Sequence, residues 1–243
     1  MITEMTINGE SIEKYNARLL DYSVGGTSLS HSTAEAGHIL KLPQIYSSIL
    51  SPRQISITLT FFPVATGSNS RKTTVIERLK RSTENIVRFE SDIIGKVVEI
   101  GLPDGYYYTA YITNIQSPSL DATGEQDIVY TFSAIRHKAP VAKEVAAGGK
   151  VFCESNTKTP CRIVVSVPAA RASLTICGII INTVAANTDI VIDSEKGLIT
   201  AGGVNKFGDT EFVDFPYLLP GENTISCDAS NADITIVYTP IYA

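Results

Sequence analysis

Residues Asp214 to Ser226 read DFPYLLPGENTIS and form the most informative segment of the chain. The first half is an apolar run made of Phe215, Tyr217, Leu218 and Leu219. Pro220-Gly221 interrupts this run, because proline presets φ at the first corner of a turn and glycine accepts a positive φ at the second, which predicts a type II turn. Glu222 and Asn223 complete the corner, and an extended pattern resumes at Thr224. Such a sequence is typical of a corner of a β-sandwich.

The composition predicts a folded protein with a sizeable core. The chain has 243 residues, of which 44% are hydrophobic and 19% charged, so one or two domains are expected without a metal or disulfide staple. The formal net charge is -5. Residues 1–138 hold 13 Lys and Arg against 14 Asp and Glu, and residues 139–243 hold 7 against 11. This balance argues against a nucleic-acid partner, which needs clustered basic residues.

Neither the N-terminal segment nor the cysteines indicate export or a membrane location. The N-terminus lacks the basic and apolar regions of a signal peptide, and no apolar run approaches the roughly 20 residues that span a bilayer. We therefore expect synthesis in the cytoplasm and no membrane partner. In a reducing compartment, cysteines behave as small core residues, although an even count would also permit disulfide pairing. The four cysteines are Cys153, Cys161, Cys177 and Cys227.

The first part of the chain, residues 1–138, is predicted to be a β domain. Apolar and polar residues alternate from Ile55 to Phe61, which predicts a strand with one face in the core. Ser23 to Gly37 is rich in Gly, Ser and Thr and is predicted to be a loop. Two further strands are predicted at Tyr106 to Ile115 and at Ile128 to Ile135.

One helix is predicted over residues 71–88, with Ser70 as its N-cap. Its apolar face is expected to comprise Val75, Ile76, Leu79, Thr83 and Ile86. The opposite face is basic, through Arg71, Lys72, Arg78, Lys80, Arg81 and Arg88, against Glu77 and Glu84. This basic face is interpreted as a solvated surface or, alternatively, as an ionic contact with an acidic neighbouring subunit.

Residues 139–150 are small and include Pro140, Gly148 and Gly149, which predicts a linker. The second domain, residues 151–243, shows short strand patterns without a helix between them. The predicted fold class is therefore mainly β, with a first β domain that carries one packed helix and a second domain that is a β-sandwich.

Candidate catalytic and metal-binding residues are few. His31 and His38 are seven residues apart, which is not the three- or four-residue spacing of ligands on a helix, and His137 is predicted to lie at a solvated strand end. Asp193 and Glu195 could act as a glycosidase pair only across a cleft, and a turn is the favoured interpretation.

Other catalytic motifs are missing or incomplete. Residues 202–208 lack the Lys-Ser/Thr of a phosphate-binding loop and are predicted to be a mobile loop; neither GxSxG nor CxxC occurs. We therefore predict no enzyme activity, no cofactor and no catalytic or metal-binding residue.

Aromatic side chains leave an alternative function open, that of a carbohydrate-binding β-sandwich such as an adhesin or lectin-like protein. The chain has no Trp, but tyrosines could provide the platform on which a sugar ring stacks. Packing in the core or at an interface is the other interpretation of these side chains. The candidates are Tyr106, Tyr107, Tyr108, Tyr217 and Tyr242.

Several segments together resemble the distal tail proteins (Dit) of long-tailed bacteriophages. The matching segments of the second domain are Glu154 to Pro160, Ile190 to Glu195, and Phe215 to Ile225. In the first domain, the amphipathic helix followed by Tyr107 to Ile112, and the closing Tyr130 to Ala134, are similar as well. Within the Phe215 segment, the residues that mark the fold are Phe215, Pro216, Leu218, Pro220, Gly221 and Asn223. Some members carry an inserted carbohydrate-binding module, for which this chain has no stretch of sufficient length.

This resemblance implies a structural role in the virion tail. The first domain would form a hexameric ring at the distal end of the tail tube, and the second would be a galectin-like sandwich at its periphery. The implied partners are further copies of the chain, the tail tube protein, and tail-tip or receptor-binding proteins. Because strand edges can pair between subunits, we expect subunit contacts at the strand Ile55 to Phe61 and the loop Ser23 to Gly37.

Overall fold

The computed structural model describes residues 4–27, 29–34, 44–63, 74–120 and 123–242. The chain divides into two compact units, Met1–His137 and Lys138–Tyr242. Each unit has its own cluster of buried apolar side chains. The mainly β fold class predicted from the sequence is confirmed, and one α-helix is present in the described residues.

The first unit is built on an antiparallel sheet with one packed helix, α1 (Val75–Ile93), and a short 3-10 helix, Ile12–Tyr15. In the sheet, the strands follow the order β2-β1-β7-β8-β10-β6-β3, with β9 also paired to β10, while β4 and β5 form a separate two-stranded ladder. The strands are β1 (Thr6–Ile7), β2 (Glu10–Ser11), β3 (Ala17–Val24), β4 (Leu29–Ala34), β5 (Gln44–Leu50), β6 (Arg53–Phe61), β7 (Val98–Gly101), β8 (Tyr107–Ile115), β9 (Ser119–Leu120) and β10 (Gln126–His137).

Strands β6 and β10 place alternate side chains in the core beneath α1. Ile57 pairs with Tyr130 across the ladder, and both side chains are fully buried. The Phe89 ring of α1 lies 5.1 Å from the Tyr130 ring and 5.6 Å from the Phe61 ring, measured between ring centroids. The period-two pattern of residues 55–61 therefore does mark one core face, as expected for a strand on which a helix packs.

Helix α1 begins and ends later than the predicted helix. Its N-cap is Thr74, which forms a capping box with Glu77: the Thr74 hydroxyl accepts from the Glu77 backbone N–H, and the Glu77 carboxylate accepts from the Thr74 backbone N–H. The helix continues through Phe89 to Ile93. The predicted cap Ser70, with Arg71 and Lys72, lies outside the described residues.

The buried face of α1 also differs from the prediction. It comprises Ser82, Asn85, Ile86, Phe89 and Ile93. Val75 is 54% exposed and Ile76 is 79% exposed, so their assignment to the core face was wrong. The physical reason is the longer helix: Phe89 and Ile93 fill the core, and their spacing with Ser82 and Ile86 sets which side faces the sheet.

The predicted loop Ser23 to Gly37 is partly strand. Strand β3 continues to Val24, and β4 covers residues 29–34 and pairs in register with β5, as in Leu29 with Leu50. Residues 28 and 35–37 lie outside the described part of the chain. Local composition favoured a loop, whereas pairing with a distant segment favours the strand.

The second unit is a set of short antiparallel strands and contains a 3-10 turn, Phe207–Asp209. Its sheets follow the orders β11-β22-β13-β16-β17-β18 with β20 paired to β13, β14-β15-β19, and β12-β21. The strands are β11 (Val141–Val145), β12 (Lys150–Cys153), β13 (Thr159–Ser166), β14 (Arg171–Ile176), β15 (Ile179–Val184), β16 (Ile190–Asp193), β17 (Leu198–Ala201), β18 (Val204–Asn205), β19 (Thr210–Glu211), β20 (Tyr217–Leu218), β21 (Gly221–Thr224), β22 (Asp233–Tyr238) and β23 (Ile241–Tyr242).

Residues 139–150, whose composition predicts a linker, contain strand β11. Val141 pairs with Tyr238 and Val145 pairs with Ile234, and both valines pack against the second core. These residues therefore belong to the second unit. Gly148, with a φ of 73°, and Gly149 lie between β11 and β12, so the composition marked this turn and missed the strand before it.

Candidate assembly surfaces

The Phe215 to Asn223 segment forms the predicted corner between two small ladders. Before the turn, β20 pairs with β13, and after it, β21 pairs with β12. Gly221 has φ 88, the left-handed conformation that the second corner of a type II turn requires. Leu218 is 2% exposed. The turn therefore redirects the chain from one ladder to the other at the point where Leu218 enters the core.

The Asn223 side chain ties this corner together. Its Oδ1 accepts from the Leu219 backbone N–H at 2.8 Å, and its Nδ2 donates to the carbonyl oxygens of Leu219 at 2.7 Å and Gly221 at 3.0 Å. The sequence suggests only that Asn223 completes a turn. Its spacing of four residues from Leu219, across Pro-Gly, is the feature that could have indicated this clamp.

The remaining motif residues also contact the second unit itself. The Phe215 ring lies 4.9 Å from the Phe212 ring and 6.4 Å from the Phe207 ring. The carbonyl of Pro216 accepts hydrogen bonds from Ser194 Oγ and from Cys161 Sγ. These contacts hold the segment to neighbouring turns and strands.

The candidate acidic pair lies in a turn. Asp193 Oδ1 accepts from the Lys196 backbone N–H at 3.0 Å, and the Lys196 ammonium lies 3.9 Å from Asp193 Oδ2. Glu195 is exposed. Asp193 therefore acts as a turn-capping residue, in agreement with the favoured interpretation of this segment.

Two of the histidines, His31 and His137, occupy different places from those predicted. His137 is 9% exposed, contacts Thr109 Oγ1 at 3.1 Å and stacks on Tyr107, so a solvated strand end was wrong: pairing of β10 with β8 covers the ring. His31 lies in β4, and His38 lies outside the described residues. Within the described part of the chain, no group of three or more His, Cys, Asp or Glu side chains could hold a metal ion.

The glycine-rich segment after β17 is a tight hairpin and not a mobile loop. Gly202 and Gly203 have φ values of 56 and 81, and Ala201 pairs with Val204 on either side of them. Two residues with positive φ make a type I′ turn, whose twist matches that of the flanking strands. Backbone geometry therefore accounts for both glycines.

The five tyrosines considered for sugar stacking are packed or covered. Tyr108 is fully buried, and burial raises the pKa of its hydroxyl, which donates to Asp104 at 2.6 Å. Tyr107 stacks on His137, and Arg136 lies over the Tyr106 ring. The remaining two carry ammonium groups on their faces, Lys158 at 4.0 Å from the Tyr217 ring and Lys138 at 5.5 Å from the Tyr242 ring.

The four cysteines are free thiols. Cys153 and Cys161 are buried in the second core, and Cys177 and Cys227 are half-buried. Burial raises the pKa of the Cys161 thiol to about 11, which disfavours the reactive thiolate. These positions agree with the prediction that the cysteines serve as small core residues.

Strand β6 cannot offer an edge to another subunit, which removes one expected subunit contact. It pairs with β3 on one side and with β10 on the other along the range 55–61. The backbone hydrogen-bonding groups that edge pairing would use are therefore already engaged within the first unit. A subunit contact through backbone pairing must lie elsewhere.

The outer face of α1 is mixed and not purely basic. Ile76 is 79% exposed and Val87 is 59% exposed, next to the exposed Lys80 and Arg88. The exposed side of α1 thus combines aliphatic and charged side chains.

Among the described residues, no helix has the length and apolar character needed to cross a membrane.

Comparison with known proteins gives matches of two kinds, one to a protein family and the others to solved structures. Residues 154–242 match the family described as siphovirus-type tail component, C-terminal domain. Seven chains of solved structures match, and one of them is the crystal structure of the SPP1 Dit protein, described as a paradigm of hub adsorption apparatus in phages that infect Gram-positive bacteria. That structure shares 12% identity with this chain at a TM-score of 0.73, with 100% of both chains covered. No curated protein sequence matches the chain significantly.

Proposed function

We propose that this chain, whose residues 154–242 match the siphovirus-type tail component family, is a distal tail protein and a structural hub that forms a ring at the distal end of the tail. The family resemblance predicted from the sequence is confirmed by the domain match and by the shared fold. As a phage tail component, the protein acts by assembly and not by catalysis.

The observation that carries this proposal is the complete overlap in fold with the SPP1 Dit protein. The shared fold extends over 100% of both chains, so it includes the first unit as well as the matched C-terminal domain. The SPP1 protein is described as a hub of an adsorption apparatus. A chain with both units of that architecture has the parts that the same role needs.

The ring, which we infer to be hexameric, joins the tail tube on one side to tail-tip or receptor-binding proteins on the other. A ring of identical subunits requires a head-to-tail contact in which two different surfaces of each chain meet. The first unit supplies this contact, and the second unit lies at the periphery. The protein resides in the virion tail and is assembled in the host cytoplasm.

Native mass spectrometry of the full chain tests the ring. We expect a species of six times the 26.2 kDa chain mass, visible as rings by negative-stain electron microscopy. If the free chain is monomeric, addition of the purified tail tube protein is expected to template the ring at the tube end. A chain that remains monomeric both alone and with the tube protein would contradict the proposed function.

A further inference from the structure

The ladders β3–β6 and β4–β5 are parts of one long hairpin. Val24 pairs with Ile55 in the first ladder, and Leu29 pairs with Leu50 in the second. Leu29 lies five residues after Val24, and Leu50 lies five residues before Ile55, so the register is the same in both ladders. The chain therefore leaves the sheet along β3 and β4 and returns along β5 and β6 as one hairpin.

The distal part of this hairpin, Leu29–Ala34 with Gln44–Leu50, is called here the hairpin arm. Strand β10 pairs with β6 only as far as Arg53, and among the described residues β4 and β5 pair only with each other. The arm therefore extends beyond Arg53, the last residue of the hairpin that pairs with a third strand, β10. An isolated two-stranded ribbon is at best marginally stable in water, so a ribbon of this kind calls for an additional strand partner.

The sequence of the arm lacks the residues that usually prevent edge strands from pairing with another chain. Natural edge strands are shielded by charged side chains, lysine above all, or by proline. Residues 22–34 and 44–52 contain no Asp, Glu, Lys or Arg, in a chain that is 19% charged. The arm itself also contains no proline. Both outer edges of the arm thus carry the pattern expected of strands that pair with another chain.

We propose that the hairpin arm pairs edge to edge with the arm of a second copy, β4 of one copy against β5 of the next. Strands β4 and β5 are antiparallel within one arm. If neighbouring arms point in the same direction, β4 of one copy is therefore also antiparallel to β5 of the next copy. Such a head-to-tail contact repeats around a ring, and closure of the ring leaves no free edge. This inference rests on the proposed ring and identifies the surface that builds it, in place of β6.

Hydrogen exchange of the wild-type chain tests this surface directly. Peptides covering 29–34 and 44–50 are compared by mass spectrometry in the assembled species and in the chain dissociated by dilution. Exchange in these peptides is expected to slow at least about tenfold on assembly, as for amides that gain a ladder hydrogen bond. A closed oligomer with unprotected arm peptides overturns this inference alone, whereas the absence of any closed oligomer overturns the proposed function as well.

Charge on the arm provides a second test. Ser30→Lys and Ser47→Lys in one chain place like charges on both edges, and we expect the concentration for half-assembly to rise about tenfold or more, corresponding to about 1.4 kcal/mol per contact. Ser173→Lys, on an exposed position of β14 in the second unit, is the matched control and should assemble like the wild type. Arm variants that keep the wild-type urea midpoint and assemble like this control would overturn the inference.

Discussion

Asn223 satisfies both backbone groups of Leu219, because its side-chain oxygen accepts from the Leu219 N–H and its side-chain nitrogen donates to the Leu219 carbonyl. This clamp spans Pro220-Gly221 and fixes the corner where β20 leaves β13 and β21 joins β12. The corner therefore depends on a side chain outside the two residues that define the turn. Two different kinds of substitution separate these contributions.

The Asn223 clamp should contribute measurably to stability. Asn223→Ala removes three hydrogen bonds at a partly exposed site, and we expect the free energy of unfolding to fall by about 1–2 kcal/mol. Asn223→Asp keeps the acceptor and loses the donor, so its loss should be smaller. Urea denaturation measures both, with Thr224→Ala on the same strand as the control. A midpoint for Asn223→Ala equal to that of the control would contradict the clamp.

Gly221 should contribute through backbone conformation alone. Its φ is 88, and a Cβ built there meets no atom within 4 Å. Gly221→Ala is therefore expected to cost about 1–2 kcal/mol, the strain of an L-residue in the left-handed region. Gly208→Ala is the matched control, because Gly208 also has open space and lacks a positive φ. Equal urea midpoints for the two variants would show that a side chain at position 221 causes no backbone strain.

The amide of Gln126 connects the sheet of the first unit to α1. Its Nε2 donates to Ser82 Oγ at 2.6 Å and to Thr83 Oγ1 at 3.0 Å, and the Gln126 side chain is 4% exposed. We expect Gln126→Ala to lower the free energy of unfolding by about 1–3 kcal/mol, since the buried Ser82 hydroxyl loses a hydrogen-bond donor. The exposed Gln116→Ala is the control, and thermal denaturation should separate the two. An equal shift in both variants would contradict a role for the buried amide.

The elements that sequence predicts well are those with local periodicity or turn chemistry. The alternation from Ile55 to Phe61 indicates a strand with a buried face, and Pro220-Gly221 indicates the corner, because both patterns act over a few residues. The same patterns do not report pairing partners. Strand β6 is an interior strand because β3 and β10 pair with it. The alternation of residues 55–61 alone could not show that β6 has no free edge for another subunit.

Errors arose where distant contacts override local composition. Segment 29–34 is rich in Ser and Thr and was expected to be loop, yet it pairs with 44–50. Likewise, α1 continues to Ile93, and burial of Phe89 and Ile93 determines which face of the helix packs on the sheet. Ile76 lies outside this face and is exposed. For the candidate surface, the signal available in the sequence was the absence of charge around β4 and β5. That signal gains meaning only when the register shows that the two segments are neighbours.

Asp92 should make the stability of the first unit depend on pH. The Tyr15 hydroxyl donates to Asp92 Oδ2 at 2.6 Å, and this hydrogen bond, assisted by the nearby Lys14 and Lys96 ammonium groups, lowers the pKa of the Asp92 carboxyl. The folded chain therefore binds fewer protons than the unfolded chain at acidic pH. The associated stability is fully present above the unfolded value of about 3.9 and is lost as the pH falls through the lower folded value.

We expect Asp92→Asn to lower the urea midpoint at pH 7 and to have a progressively smaller effect as the pH falls below about 4. Tyr15→Phe, which removes the donor and retains the ring, should reduce the pH dependence in the same direction. The exposed Asp233→Asn in the second unit serves as the control for the loss of one carboxylate. Protonation of Asp92 and the substitution by Asn both remove the negative charge of the carboxylate. An effect of Asp92→Asn on the urea midpoint that is the same at pH 7 and at pH 3 would therefore rule out the proposed link between Asp92 ionisation and stability.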